Sequence, residues 1–144
     1  MSRILGFDYG KVRIGVSYSD ESKLIASSLD VFIRQKNLEF TFREIQKKGA
    51  HLFPIELFVV GYPLLLNGKE GEMALETKQF AESLSAYFSV PFVLWDERLS
   101  STQAEKIMKE GNLSRKQRAG LSDTLASRLI LQNYLECHGF KTIR

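Results

Sequence analysis

The sequence is poor in cysteine, histidine and long apolar runs. Its 144 residues include one cysteine, Cys137, which has no disulfide partner within the chain and favours a reducing compartment. No charged segment followed by an apolar one opens the sequence, and no apolar run approaches the roughly 20 residues that cross a bilayer. His51 and His138 are isolated, and neither Cys-x-x-Cys nor Gly-x-Ser-x-Gly occurs. We therefore expect a cytoplasmic protein without membrane contact, and we find no cysteine–histidine metal set or serine-nucleophile motif.

Positive charge is in slight excess over negative charge. The chain has 20 lysines and arginines against 17 aspartates and glutamates, a formal net charge of +3. Such an excess is compatible with a polyanionic partner and equally with ordinary solvated surface, so charge alone favours neither. A chain of this length is predicted to fold as one domain, residues 1–144, whose core needs no disulfide framework.

Three extended segments open the chain. Residues 3–8 are short and apolar, and residues 12–19 alternate apolar and polar side chains at period two. Tyr9–Lys11 is predicted to form the tight turn between them. A third extended run at 23–33 would complete an antiparallel meander, because each strand is reached by a turn rather than by a crossover helix.

The rest of the sequence alternates between helical and extended patterns. Caps, apolar stripes and buried apolar runs define these elements. They are a helix from Asn37 to Gly49, strands at 55–61 and 90–95, a helix at 69–88 with Glu76 on its outer side, and two helices beginning at Ser100 and Ser114, the second running to about Cys137. The order β-β-β-α-β-α-β-α-α predicts an α/β fold with a mixed five-stranded sheet and helices on both faces.

Acidic residues occupy positions where an ordinary structural sequence would not place a carboxylate. Asp8 ends the first strand, at the edge where α/β sheets gather ligands, although an aspartate there can also serve as a turn residue. Gly6 and Gly10 are predicted to leave the backbone on either side of Asp8 open to a ligand.

Asp96 and Glu97 end the last strand, and periodicity does not choose between them. Asp123 falls on the apolar stripe of the last helix, unless that helix begins near Ser122 and the residue is an ordinary first-turn acid.

Carboxylates that converge from strand ends and a helix are suited to hard divalent cations. Mg²⁺ or Mn²⁺ takes oxygen ligands, and two such ions can activate a water and stabilise the leaving oxygen in phosphodiester cleavage. We therefore predict a site with two metal ions. Basic residues near the acids could bind substrate phosphates, and the predicted substrate-binding residues are Lys11, Arg13 and Arg98. A charge-rich solvated face is equally common, and Arg98 could instead be a structural partner of one of the acids.

Four stretches of the sequence carry a family resemblance. They are GFDYGKVRIGV, VVGYPLLLNGKEG, WDERLSSTQAE and SDTLASRLILQNYL, and their order and spacing cover most of the chain. On these motifs the sequence is identified as a member of the YqgF family, within the ribonuclease H-like nuclease and resolvase superfamily. The resemblance implies a ribonuclease H-like fold, a cytoplasmic location and a nuclease acting at the 5′ end of pre-16S rRNA. Holliday junction resolution is the older inference for the same family.

The resemblance also implies which acids act. Carried over by motif, the catalytic and metal-binding residues are Asp8, Glu97 and Asp123, which provisionally favours Glu97 over Asp96. The chain departs from the family pattern at Leu64–Leu66, where polar residues are usual, and at Ser122, where an apolar residue is usual. The role of the leucine-rich loop stays open.

Four functions are compatible with these patterns. The leading hypothesis is a metal-dependent nuclease acting on pre-16S rRNA, and the second is a resolvase of four-way DNA junctions, which would favour a homodimer. A third is an ATP-binding protein related to actin and the sugar kinases, although those proteins need two such domains. The fourth is a non-catalytic RNA-binding factor, which would not require all three acids.

Overall fold

Five strands form one mixed sheet. The computed structural model describes residues 2–65, 67–96 and 125–138. Across the sheet the strand order is β3-β2-β1-β4-β5. The first three strands form an antiparallel meander, and the last two run parallel to β1. Their bounds are β1 Arg3–Tyr9, β2 Arg13–Ser19, β3 Ala26–Ile33, β4 Ile55–Tyr62 and β5 Phe92–Asp96. The predicted mixed five-stranded sheet is confirmed.

Helices cover both faces of this sheet. Helix α1 spans Leu38–Lys48, a short 3₁₀ turn follows at Ala50–Leu52, and α2 spans Glu72–Phe88. Residues 125–138 are also helical and form the part of the predicted last helix that the structure describes. Helices α1 and α2 pack on one face, here called the back face, while the 125–138 helix packs on the other, the front face. In the described ranges, no helix combines the length and apolarity that a bilayer crossing requires.

The ends of α1 follow from its capping residues. The Asn37 side chain accepts a hydrogen bond of 3.0 Å from the backbone N–H of Glu39, which satisfies one of the free donors of the first turn. At the other end, the backbone N–H of Gly49 donates to the carbonyl of Ile45 at 2.9 Å. Both predicted limits of this helix are confirmed.

The back-face core is rich in aromatic side chains. Phe7 on β1 lies edge-on to Phe58 on β4, with ring centroids 5.3 Å apart, and to Phe80 on α2, at 6.1 Å. All three are fully buried, and burying each contributes about 1.5 to 3 kcal/mol. These contacts join the central strands to α2, so the strand that carries Asp8 is held at the centre of the fold.

The third strand begins three residues later than the sequence pattern predicts. Residues 20–25 form a loop, because one carboxylate oxygen of Asp20 accepts hydrogen bonds from the backbone N–H groups of Leu24, at 2.8 Å, and Ile25, at 3.1 Å. Lys23 has a positive φ of 60°, which strand geometry excludes. The strand therefore starts only at Ala26.

Helix α2 also begins later, at Glu72 rather than near residue 69. Leu64 and Glu70 form an isolated antiparallel bridge, and the N–H of Leu65 donates to the carbonyl of Lys69 at 2.9 Å. Gly68 turns the chain with φ of 83°. The loop after β4 is thus a small hairpin, which uses backbone groups that the predicted longer helix would have needed.

Candidate active site

Asp8 lies at the edge of the sheet where three parallel strands end. In the register of β1, β4 and β5, Phe7 pairs with Val60, and Val60 pairs with Leu94. Asp8 is therefore level with the second-last residues of β4 and β5, and its side chain is half-buried. Ligands of α/β sheets gather at this edge, so the structure confirms the strand-end position on which the prediction for Asp8 depends.

Side chains alternate along β1, and the alternation assigns Asp8 to the front face. Phe7 and Tyr9 belong to the back-face core, while Ile4 belongs to the front-face cluster. Across the ladder Asp8 pairs with Gly15, which has no side chain. The carboxylate thus stands on the front face, and its partner across the ladder is a residue without a side chain.

The same alternation separates Asp96 from Asp8. On β5, Leu94 packs with the back-face core and Trp95 with the front-face cluster, so Asp96 is on the back face. Asp96 and Asp8 therefore stand on opposite faces of the sheet. Glu97, the other acid that the sequence offered at this strand end, lies outside the described residues.

The 125–138 helix crosses the front face close to Asp8. The Ser17 hydroxyl donates to the carbonyl of Ser127 at 2.8 Å, and Leu135, two turns further along the helix, packs with Ile4 near the start of β1. The helix therefore runs antiparallel to β1, with its first described turns towards the carboxyl edge of the sheet. Asp123 lies outside the described residues.

Two glycines beside Asp8 serve packing and turn formation. A Cβ on Gly6 would lie 2.7 Å from the Cβ of Leu131 and 2.5 Å from the Ser17 hydroxyl oxygen, and one on Gly10 would lie 2.8 Å from the carbonyl oxygen of Arg13. The sequence interpretation, that these glycines leave the backbone open to a ligand, is thus wrong for Gly6. Its open side is filled by the 125–138 helix.

Two of the three predicted substrate-binding residues are described. Lys11 and Arg13 are exposed in and after the turn between β1 and β2, which is closed by a hydrogen bond of 2.9 Å from the N–H of Gly10 to the carbonyl of Arg13. Because Ile14 faces the back core, Arg13 is on the front face with Asp8. The turn therefore brings cationic side chains to the edge that carries the acid. Arg98 lies outside the described residues.

A polar network lies behind the site, and no pattern in the sequence indicates it. Tyr9 is 5% exposed, and its hydroxyl donates to Oε1 of Glu76 at 2.7 Å and accepts from Nε of Arg34 at 2.8 Å. Burial raises the pKa of the Tyr9 hydroxyl above its ordinary value, and the Glu76 carboxylate raises it further. The network joins β1, the end of β3 and α2. The prediction that Glu76 faces outwards is wrong, because its side chain is half-buried against Tyr9. Helical periodicity could not indicate this contact, since Tyr9 lies on a strand far away in the sequence.

The described residues contain only part of the predicted metal site. Within residues 2–65, 67–96 and 125–138, no group of three or more His, Cys, Asp or Glu side chains could hold a metal ion. Asp8 is the one member of the predicted carboxylate set in these ranges. The Asp8 carboxylate fits the divalent metal ions that the fold implies, because Mg²⁺ and Mn²⁺ prefer carboxylate oxygens as ligands.

Solved structures share this arrangement of strands and helices. The chain superposes on Thermus thermophilus RuvC in complex with a Holliday junction substrate, with a TM-score of 0.53, 19% identity and 97% of each chain covered. It superposes on the fowlpox virus Holliday junction resolvase with a TM-score of 0.55, 12% identity, and 94% and 98% of the two chains covered. At these identities the likeness defines the fold class, which is the ribonuclease H-like α/β fold of the resolvases.

The chain belongs to the RuvX family, whose model carries the description Holliday junction resolvase and matches residues 2–137. A relative from Protochlamydia amoebophila is 40% identical over 140 residues, 94% of this chain and 93% of its own. Another from Carboxydothermus hydrogenoformans is 41% identical over 133 residues, 92% and 95% of the two chains. Both relatives bear the name "Putative pre-16S rRNA nuclease". The YqgF membership predicted from the four motifs is confirmed.

Proposed function

We propose that this protein is a metal-dependent nuclease that hydrolyses phosphodiester bonds, with the 5′ end of pre-16S rRNA as its substrate. Family membership and the names of the relatives support the class of reaction. The observation that carries the proposal is the position of Asp8, a half-buried carboxylate on the front face at the end of the central strand. A turn bearing Lys11 and Arg13 adjoins this carboxylate, as a polyanionic substrate would require.

The proposed metal ligands are Asp8, Glu97 and Asp123, holding two Mg²⁺ or Mn²⁺ ions. The back-face position of Asp96 supports Glu97 as the second acid, since Asp96 is directed away from Asp8. Ser127 is anchored beside Gly6, and Asp123 precedes it by four positions in the sequence, which is about the number of residues in one helical turn. This spacing supports Asp123 as the third acid. Both assignments are proposals.

The metal ions, when bound, would supply a nucleophilic water at neutral pH and stabilise the charge on the leaving oxygen. The contribution of the chain itself is to hold Asp8 in a fixed position. Asp8 is held between two paired strands, and its backbone cannot shift without disturbing the Phe7 contacts in the core. Lys11 and Arg13, which follow Asp8 in the turn into β2, would bind substrate phosphates and orient the nucleic acid. We propose Arg98 as a further phosphate contact.

Resolution of four-way DNA junctions is the second candidate function. The description of the family and the shared fold of RuvC favour it. A resolvase would act as a homodimer that presents two sites to a symmetric branch. The homodimer, the single-domain organisation of residues 1–144 and the cytoplasmic location stay predictions.

Cleavage of two labelled substrates by three proteins tests the proposal. Wild type, Asp8→Asn and Asp96→Asn are incubated with Mg²⁺ and either a pre-16S rRNA 5′ leader or a four-way DNA junction. We expect RNA cleavage that is lost in Asp8→Asn and kept in Asp96→Asn, since only Asp8 is on the front face. Symmetric nicking of the junction alone would favour the resolvase. Undiminished cleavage by folded Asp8→Asn would remove Asp8 from the mechanism.

A further inference from the structure

A compact tip stands at the carboxyl edge of the sheet beside Asp8. It consists of residues 10–13, which form the turn from β1 into β2, and residues 33–36, which follow from the end of β3. We call these eight residues the β-tip. Half of them are cationic and none is acidic. The cations are Lys11, Arg13, Arg34 and Lys36. These eight residues alone carry a larger net positive charge than the whole chain of 144 residues, whose formal net charge is +3.

Two aliphatic side chains stand exposed among these cations. Val12 is 63% exposed and Ile33 is 55% exposed. Exposed aliphatic residues are ordinary when they are scattered singly, but adjoining ones ringed by charge of one sign mark interaction surfaces. Their backbones adjoin, because Ile33 pairs with Arg13 and the N–H of Arg34, the next residue, donates to the carbonyl of Val12 at 2.8 Å. Val12 and Ile33 are here called the apolar centre of the β-tip, and each of them has a cationic neighbour in the sequence.

The β-tip is held in one conformation by bonds at its base. Besides its backbone bond to Val12, Arg34 donates from Nη1 to the carbonyl of Gln35 at 3.0 Å and from Nε to the Tyr9 hydroxyl. Tyr9 in turn is bonded to Glu76 on α2. The buried network described above therefore fixes the β-tip to the back-face core. A surface held in this way binds without the entropic cost of ordering a loop.

Two residues of the β-tip share the face of the proposed active site. Arg13 pairs with Ile33 across the ladder, and both are on the front face, where Asp8 stands. Adjacent strands lie about 4.8 Å apart, so β3 is roughly 10 Å from β1. A molecule bound at Asp8 that extends across β2 towards the β3 edge would pass over these side chains.

We propose that the β-tip is a second contact site for the nucleic acid substrate and that it binds a base-paired segment adjoining the cleavage site. Lys11 and Lys36 bind phosphates, and Val12 and Ile33 cover sugars in the groove between them. Proteins that bind unpaired strands stack bases on aromatic side chains, whereas the β-tip has only aliphatic ones. This inference rests on the proposed function in one respect, that the substrate is a nucleic acid.

RNA binding measured in the absence of metal tests the role of the β-tip lysines separately from cleavage. The probe is a fluorescein-labelled RNA hairpin from the pre-16S 5′ leader in EDTA, titrated at several salt concentrations. We expect the dependence of log K on log salt to become shallower by about 1.4 to 1.8 in Lys11→Ala/Lys36→Ala, because each of the two phosphate contacts contributes about 0.7 to 0.9. The matched control is Lys47→Ala, at the far end of α1, roughly 15 Å from Lys36 along the helix. Its slope should equal that of wild type.

The apolar centre has a different signature. In Val12→Ala/Ile33→Ala the affinity for the hairpin should fall about three- to tenfold with the salt slope unchanged, because apolar contact releases no counterions. The same variant should bind an unpaired oligonucleotide of equal length as wild type does. Both variants are compared with wild type by thermal unfolding, and exposed side chains predict a small change.

The outcomes separate this inference from the proposed function. Wild-type salt slope and affinity in both double variants would overturn the β-tip as a binding site, whether or not wild type cleaves RNA. If Val12→Ala/Ile33→Ala lost as much affinity for the unpaired oligonucleotide as for the hairpin, the proposal that the β-tip binds a base-paired segment would be overturned. If wild type cleaves neither substrate but hairpin binding still depends on the β-tip, the inference stands and the proposed function fails.

Discussion

The hydroxyl of Ser17 on β2 donates a hydrogen bond of 2.8 Å to the carbonyl of Ser127, 110 positions later in the chain. Both residues are fully buried, so a donor and an acceptor that would be costly to leave alone satisfy each other. The bond fixes the 125–138 helix over Gly6 on the front face. It thereby ties the position of this helix to the strand that carries Asp8.

Gly6→Ala should destabilise the protein by about 1 to 3 kcal/mol, because its Cβ would overlap Leu131 and Ser17 in a closely packed interior. Urea unfolding measures the loss. Ser17→Ala, which removes the hydrogen bond but lets the helix approach, should cost only about 1 kcal/mol. Gly6→Ala as stable as wild type would show that the helix does not pack over this glycine.

Tyr9→Phe should lower stability by about 1 to 3 kcal/mol, because Arg34 and Glu76 each lose a partly buried partner. Tyr18→Phe, a tyrosine on β2 that also packs against the back-face core, is the control and should change stability less. Chemical denaturation at pH 7 compares the two variants. A loss for Tyr9→Phe no larger than that for Tyr18→Phe would contradict a role for the network in stability.

The raised pKa of Tyr9 also predicts how that difference varies with pH. A group whose pKa is higher in the folded state stabilises fully below its unfolded pKa, near 10, and this stability is lost as pH rises through the folded value. The stability difference between wild type and Tyr9→Phe should therefore be constant up to about pH 9 and shrink above pH 10. A difference that grows in alkali would contradict this sign. Other tyrosines contribute equally to both proteins and cancel.

Rules that depend on neighbouring residues predicted the helices and strands from the sequence. Contacts between residues far apart in the sequence could not be predicted in this way. Asn37 and Gly49 limit α1 as their capping chemistry predicts, since a cap depends on neighbours within one turn. The pairing of Tyr9 with Glu76 joins residues 67 positions apart, and no periodicity in either segment indicates it. Gly6 was interpreted from its neighbours as a site of ligand approach, whereas a helix more than 100 residues later decides its role.

For the candidate site, the sequence correctly predicted that Asp8 lies near the end of a central strand, and it left the choice between the two acids of the last strand open. Asp8 could be placed because strand ends in α/β sheets share an edge. Asp96 and Glu97 could not be separated by pattern, since β5 has partly buried side chains on both faces. Only the contacts of Leu94 and Trp95 show which face Asp96 takes.

Asp30→Asn should reduce stability at neutral pH and leave it unchanged in strong acid. The Lys48 ammonium, which donates a hydrogen bond to Asp30, lowers the pKa of this carboxyl, and the N–H of Val31 lowers it further. A lowered pKa stabilises above the unfolded value, near 3.8, and the effect is lost as pH falls through the folded value. Because the pair is exposed, the loss at pH 7 should not exceed about 1 kcal/mol. Unfolding at pH 7 and pH 2 measures both. An equal loss at pH 2 would show a cause other than charge.

Gly68→Ala tests whether the hairpin after β4 has a defined shape. Gly68 has φ of 83°, where a residue with a Cβ is strained by about 1 to 2 kcal/mol, and its N–H donates to the carbonyl of Leu65 at 2.8 Å. The strain should open the hairpin rather than the core, because few buried contacts hold it: Leu65 is 51% exposed. Hydrogen exchange of the Leu65 and Gly68 amides should accelerate about tenfold, as about 1.4 kcal/mol of local destabilisation implies. The amide of Val59 in β4 is the internal control and should exchange as in wild type. Equal acceleration at all three amides would mean that the hairpin unfolds only with the whole protein.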